Sequence, residues 1–249
     1  MLTIPAHLSL AAIVLAAFGM EAAMGFGCNV LAVTLGVHLL PLGQLLPVLI
    51  VLNLVVSAFI AGRHRRLIGW RVLLTRVLPL MLAGLPGGLL LYAVAPEQWL
   101  KLGFGVFVVG ISTLELLRLR GAVAGSPPLP GWAAVAALLG AGLLHGLYAT
   151  GGPLAVYYAG RQLPDKGAFR ATMSLLWLVP NGVMLATFVA RGAAEAGTLK
   201  LAATMLPSLA AGIVGGEWLH GRLPELTFRR LVFALLLLGG AVLVLASLR

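Results

Sequence analysis

The chain has 249 residues, of which 61% are hydrophobic and only 10% charged, with mean hydropathy +1.06 and formal net charge +10. A soluble domain carries about 45–50% apolar and about 25% charged residues, so a soluble enzyme, a disordered chain and a collagen-like chain are excluded. The 32 glycines fit membrane helices that pack through small residues, and continuous apolar runs exclude the alternating strands of a membrane β-barrel.

The segment 1–7 has no Lys or Arg. It therefore lacks the basic region of a signal peptide and is expected to stay in the mature chain. Ten apolar stretches follow, at 8–24, 28–40, 45–62, 72–94, 99–117, 131–148, 153–160, 171–190, 199–221 and 228–247. A membrane core about 30 Å thick needs roughly 20 residues of helix. Two stretches, 28–40 and 153–160, are short, and each follows a glycine break, Gly25-Phe26-Gly27 or Gly151-Gly152-Pro153. Each break makes a tight or re-entrant hairpin that returns the chain to its starting side. The fold expected is all-α and polytopic, with 8–10 membrane helices.

With that return, 13 Lys and Arg collect on one side, among them Arg63, Arg65, Arg66, Arg118, Arg161 and Arg230. Four collect on the other: Lys101, Arg191, Lys200 and Arg249. The positive-inside rule puts the richer side in the cytoplasm. Both termini then face outside and the linker 119–130 is cytoplasmic. The basic excess serves orientation and attraction to anionic lipid, not nucleic acid.

The halves 1–118 and 131–249 resemble each other. Residues 78–88 and 206–216 share six of eleven identities at an offset of 128, which also pairs Asn53 with Asn181. The hairpins align at an offset of 124, pairing Gly27 with Gly151 and Glu21 with His145. In the expected topology 45–62 runs inward and 171–190 outward, so the repeat is inverted. Inverted repeats with broken helices hold substrate near the membrane midplane in many secondary transporters.

The candidate site lies at the two tips: Gly25, Phe26, Gly27, Cys28 and Asn29 in the first half, and Tyr148, Thr150, Gly151, Gly152 and Pro153 in the second. A helix that starts at a glycine break exposes unpaired N–H groups and the positive end of its dipole, which an anion satisfies. Close helix packing is the plainer use of such glycines. Asn53 and Asn181 are matched mid-span polar groups and join the candidate substrate site. Gln44, Thr172 and Ser174 are weaker candidates; Tyr148, Tyr157, Tyr158 and Trp177 fit either a cavity lining or, as the commoner use, a membrane interface. Glu21 and His145 are intramembrane ionisable groups at matched positions, the kind that carry proton relays. Cys28 is the only cysteine, so no disulfide or cysteine metal cluster is expected. No cofactor and no metal are expected either. Motifs for metalloproteases, serine hydrolases and ATP binding are absent from the chain.

Gly25-Phe-Gly27, Gly151-Gly152-Pro153-Leu-Ala-Val-Tyr157-Tyr158, Phe169-Arg170-Ala-Thr172-Met-Ser174-Leu and the Gly84 and Gly212 segments resemble the TauE/SafE sulfite exporter family, also called the toluene sulfonate uptake permease family. Cys28-Asn29 interrupts the run of glycines usual in that family's first motif. The resemblance implies a transporter of small sulfur-containing anions, of sulfite, sulfonate or sulfoacetate type, in the bacterial inner membrane, as a monomer or homodimer. The competing readings are an anion channel and a non-transporting membrane assembly subunit.

Overall fold

The computed structural model describes residues 3–121, 129–163, 165–194, 196–220, 222 and 225–248. Among the described residues ten α-helices follow the ten apolar stretches: α1 (Ile4–Met24), α2 (Cys28–Gly36), α3 (Leu42–Arg63), α4 (Trp70–Val94), α5 (Glu97–Gly121), α6 (Gly131–Tyr148), α7 (Gly152–Gln162), α8 (Lys166–Ala190), α9 (Ala196–His220) and α10 (Glu225–Ser247). Helix α4 carries a π-helical turn over Leu73–Val77. There is no strand among the described residues, and seven helices are long and apolar enough to cross a membrane. The protein is an all-α polytopic membrane protein.

Most helices reach a few residues beyond the apolar stretches. Hydropathy marks what lipid covers, whereas a helix continues into polar ends that can be capped. The Asp165 carboxylate accepts the Ala168 N–H at 2.7 Å, which starts α8 five residues ahead of its apolar run. Of the expected linker 119–130, residues 119–121 belong to α5, and 122–128 lie outside the described residues.

Helices α2 and α7 have 9 and 11 residues. At 1.5 Å per residue they measure about 14 and 17 Å, near half the membrane core. What ends α1 and α6 is the same device. Gly25 (φ 83°) and Ala149 (φ 53°), paired by the 124 offset, both adopt the left-handed conformation. Their N–H groups bond back to the Glu21 and His145 carbonyls, at 2.6 and 2.7 Å.

The main interfaces cross between the halves. Helix α1 packs on α9, α4 on α6, α3 on α8 and α5 on α10. Exchanging each helix of one half for its counterpart in the other maps these four interfaces onto themselves. Glycines set two of them. In α4, a Cβ on Gly84 or Gly88 would run into the Leu139 or Leu143 carbonyl oxygen of α6. In α9, a Cβ on Gly212 would lie 2.7 Å from the Leu15 oxygen of α1, and one on Gly216 would strike the Gly19 oxygen. These are two small-xxx-small motifs, Gly84/Gly88 and Gly212/Gly216, which bring backbones to van der Waals contact without help from water.

Candidate functional site

The hairpin tips meet at a buried cavity. It is lined by Glu21, Gly27, Cys28, Asn29, Asn53, His145, Ala149, Thr150, Gly151, Gly152, Trp177 and Asn181. The crossed interfaces put it there: α3 and α8 run side by side, with Asn53 of α3 reaching the first hairpin and Asn181 of α8 the second. Residues far apart in the chain are thereby joined, since Asn53 and Asn181 stand 128 positions apart yet share a hydrogen bond.

Four side chains form one continuous string. Asn53 Nδ2 donates to Glu21 Oε1 at 2.9 Å, and Asn181 Nδ2 donates to Asn53 Oδ1 at 2.6 Å. His145 Nε2 lies 3.0 Å from Asn181 Oδ1. Because that oxygen can only accept, Nε2 carries the proton. His145 Nδ1 is then the acceptor, and the Gly151 N–H points at it from 3.4 Å. Donation runs one way, from His145 to Glu21. All four residues are at most 2% exposed, and a buried polar string of this kind is stable only when its members are satisfied.

The tips are also tied to each other. Asn29 Nδ2 donates to the Ala149 carbonyl at 2.6 Å, and Trp177 Nε1 donates to the Gly25 carbonyl at 3.0 Å. The two acceptors are the matched left-handed residues. Trp177 stacks flat on His145, with ring centroids 5.7 Å apart at 1°.

Of the residues expected at the site, ten line the cavity: Glu21, Gly27, Cys28, Asn29, Asn53, His145, Thr150, Gly151, Gly152 and Asn181. Four flank it. Gly25 supplies its carbonyl to Trp177, and Phe26 packs edge-on against Phe169 at 6.2 Å. Tyr148 packs on Phe104 at 4.8 Å, toward α5, and Pro153 sits in the first turn of α7. Ala149, Trp177 and Ser57 complete the arrangement; Ser57 Oγ is 3.1 Å from Asn53 Oδ1 and 3.5 Å from Glu21 Oε1. Alignment with Gly25 was the signal for Ala149. Ser57 had none, because its counterpart at 128 is Leu185.

The four tip glycines divide by job. A Cβ on Gly151 would strike the Ala141 carbonyl oxygen, so Gly151 lets α7 pack on α6. Gly25 and Gly27 hold left-handed turns. Gly152 has ordinary space, with Phe26 and Trp177 3.8–4.0 Å from its Cβ position. No Lys or Arg lines the cavity. Arg170 packs against the first tip, its Cα 2.9 Å from where a Cβ on Gly25 would lie. It is buried and pairs with Glu217, linking α8 to α9, while its Nε and the neighbouring Ser174 Oγ have no partner. Thr172 serves a loop, accepting from Gly69 N at 2.8 Å, and Gln44 is exposed.

The two helix starts leave backbone N–H groups ahead of their ladders. The first backbone bonds within α2 and α7 are Leu31 N to Gly27 O at 3.2 Å and Ala155 N to Gly151 O at 3.1 Å. The N–H groups before them, Cys28 to Val30 in α2 and Gly152 and Leu154 in α7, precede the helical ladder.

Comparison with known proteins agrees with this architecture. The chain is 27% identical over 192 residues to the probable inner membrane transporter protein TsaS of Comamonas testosteroni, covering 77% of this chain and 79% of that protein. No solved structure matches. The family model described as sulfite exporter TauE/SafE matches residues 10–243, and the chain belongs to that family of membrane transporters.

Proposed function

We propose that the chain is a secondary transporter of small sulfur-containing anions of sulfite, sulfonate or sulfoacetate type. It works by alternating access in the inner membrane, with the anion held between the hairpin tips near the midplane. The observation that carries this reading is the buried polar cavity where the two helix starts converge. Oriented N–H groups at helix starts bind anions without any Lys or Arg, and polar groups buried at membrane depth mark substrate paths. The name of the Comamonas relative supports the inner membrane and transport. The half-length helices α2 and α7 support re-entrant hairpins. The exchange symmetry of the interfaces supports an inverted repeat with both termini outside and 119–130 in the cytoplasm.

Protons drive the cycle in this reading. Glu21 and His145 stand at the two ends of the polar string, and His145 Nδ1 is the basic atom facing the second tip. A negative substrate there favours an imidazolium, so anion and proton load together.

The test is flux in proteoliposomes. Uptake of sulfite, methanesulfonate or sulfoacetate should saturate with concentration and accelerate under an imposed proton gradient. Glu21→Gln with His145→Gln should keep anion binding and lose the response to the gradient. Flux that never saturates would replace the carrier by a channel. An unchanged gradient response in the double variant would remove these two residues from coupling.

A further inference from the structure

The two tips share a plan but differ at the place where a bound anion would sit. In the first half that place is taken. The Glu21 carboxylate, 1% exposed, lies at the start of α2. It accepts from Asn53 Nδ2 at 2.9 Å, has Ser57 Oγ at 3.5 Å, and lies within hydrogen-bonding reach of the Cys28 backbone N–H and Sγ. A carboxylate seated on a helix start among side-chain donors is a bound anion supplied by the chain itself.

In the second half the matched groups do not supply one. His145 replaces Glu21, Leu185 replaces Ser57, and the Asn181 amide nitrogen donates to Asn53. The α7 start thus has no resident carboxylate, and Gly152 and Leu154 present their N–H groups ahead of the helical ladder. Beside them the Thr150 hydroxyl, in a residue 4% exposed, lines the cavity and makes no hydrogen bond within the described residues. At Gly152 a Cβ would make ordinary contact with Phe26 and Trp177, 3.8–4.0 Å away.

We propose that the cavity binds one oxyanion, at the second tip against Thr150 and the first turn of α7, while the Glu21 carboxylate, when ionised, fills the equivalent place at the first tip. This rests on the reading of the cavity as the substrate site and adds its occupancy and charge preference. A carboxylate in the same low-dielectric cavity, with no Lys or Arg in the lining, repels a second negative charge more than a first. Singly charged sulfonates are therefore preferred over dianions such as sulfate.

The experiment is calorimetric titration of the purified full chain with methanesulfonate, sulfate and acetate. The wild type should bind one methanesulfonate, with sulfate at least tenfold weaker. Thr150→Val and Gly152→Val should each weaken methanesulfonate at least tenfold. In Glu21→Ala, acetate should bind as a second ligand without displacing methanesulfonate and should restore thermal stability lost by the substitution. Glu21→Gln, which keeps the side-chain shape, should narrow the methanesulfonate-to-sulfate ratio at least tenfold. Two methanesulfonates per wild-type chain, indifference of binding to both second-tip variants, or an unchanged ratio in Glu21→Gln would each overturn the inference while leaving an anion site standing. No methanesulfonate, sulfite or sulfate binding in the wild type would overturn the functional reading and the occupied second tip with it.

Discussion

Asn53 is the most connected polar side chain of the site: its nitrogen serves Glu21 and Cys28, and its oxygen takes Asn181 and Ser57. Asn53→Leu strips the buried carboxylate of a donor, and a lost hydrogen bond to a charged group costs about 1.5–3 kcal/mol. Stability should fall by about that amount in an unfolding titration, and Asn181→Leu, which loses a bond between neutral amides, should cost about 0.5–1.5 kcal/mol. Because the two amides bond each other, the double variant should lose less stability than the sum of the singles, by about 0.5–3 kcal/mol in an unfolding titration. Simple additivity would show that the string is not a unit. Ala149 gives a prediction of opposite sign. Its left-handed backbone, at φ 53°, costs a non-glycine residue roughly 1–2 kcal/mol, partly offset in Ala149→Gly by the freer unfolded chain. That variant should melt no lower than wild type, whereas Gly25→Ala, forced against Arg170, should melt several degrees lower.

For single elements, the glycines of the long helices separate two jobs that sequence reading leaves together. Gly88 and Gly216 abut carbonyls of a neighbouring helix, while Gly110 and Gly182 have nothing within 4 Å of a Cβ. Gly88→Ile and Gly216→Ile should prevent accumulation of folded protein. Gly110→Ala should be tolerated and gain up to about 1 kcal/mol of helix propensity, checked by melting in detergent. A folded Gly216→Ile protein would refute the close α1–α9 contact. The helices themselves were legible because lipid demands long unbroken apolar runs, and the ten stretches became the ten helices. The matched glycines, asparagines and tips were legible because a repeat displays its own alignment. What the sequence could not display was direction. That Tyr148 turns toward Phe104, and that Gly151 faces Ala141 while Gly152 faces Phe26 and Trp177, follow from helix rotation, and an all-apolar helix has no polar face to reveal it.

Across the whole molecule, the proposed topology puts Arg65 and Asp165 on one side of the membrane and Glu97 and Ala193 on the other. Single cysteines at these exposed positions, in a Cys28→Ser background, should react with an impermeant thiol reagent in those pairs. Reaction of 65 and 165 from opposite sides would break the inverted arrangement. The two ends of the bundle are fastened differently. The Arg170–Glu217 ion pair joins α8 to α9, whereas α4 meets α8 through the edge-on contact of Tyr92 with Phe188 at 5.6 Å. Glu217→Gln should therefore ease opening on the Arg170 side alone, seen as faster labelling of a cysteine placed at Thr150 by reagent from that side.

The bond between Asn53 and Asn181 has a direction. An amide pair cannot be shared evenly: one partner gives the hydrogen and the other receives it. Two identical halves meeting as separate copies would have no reason to prefer either polarity, and the pair would exist as two equal states. In this chain one end of the string is Glu21 and the other His145, which selects a single polarity. In the proposed arrangement the two tips can therefore take unequal roles, one filled by Glu21 and one open to an anion. In His145→Glu the string would end in a carboxyl at both ends and its single polarity should be lost, and a separately expressed second half should not support the site without the first.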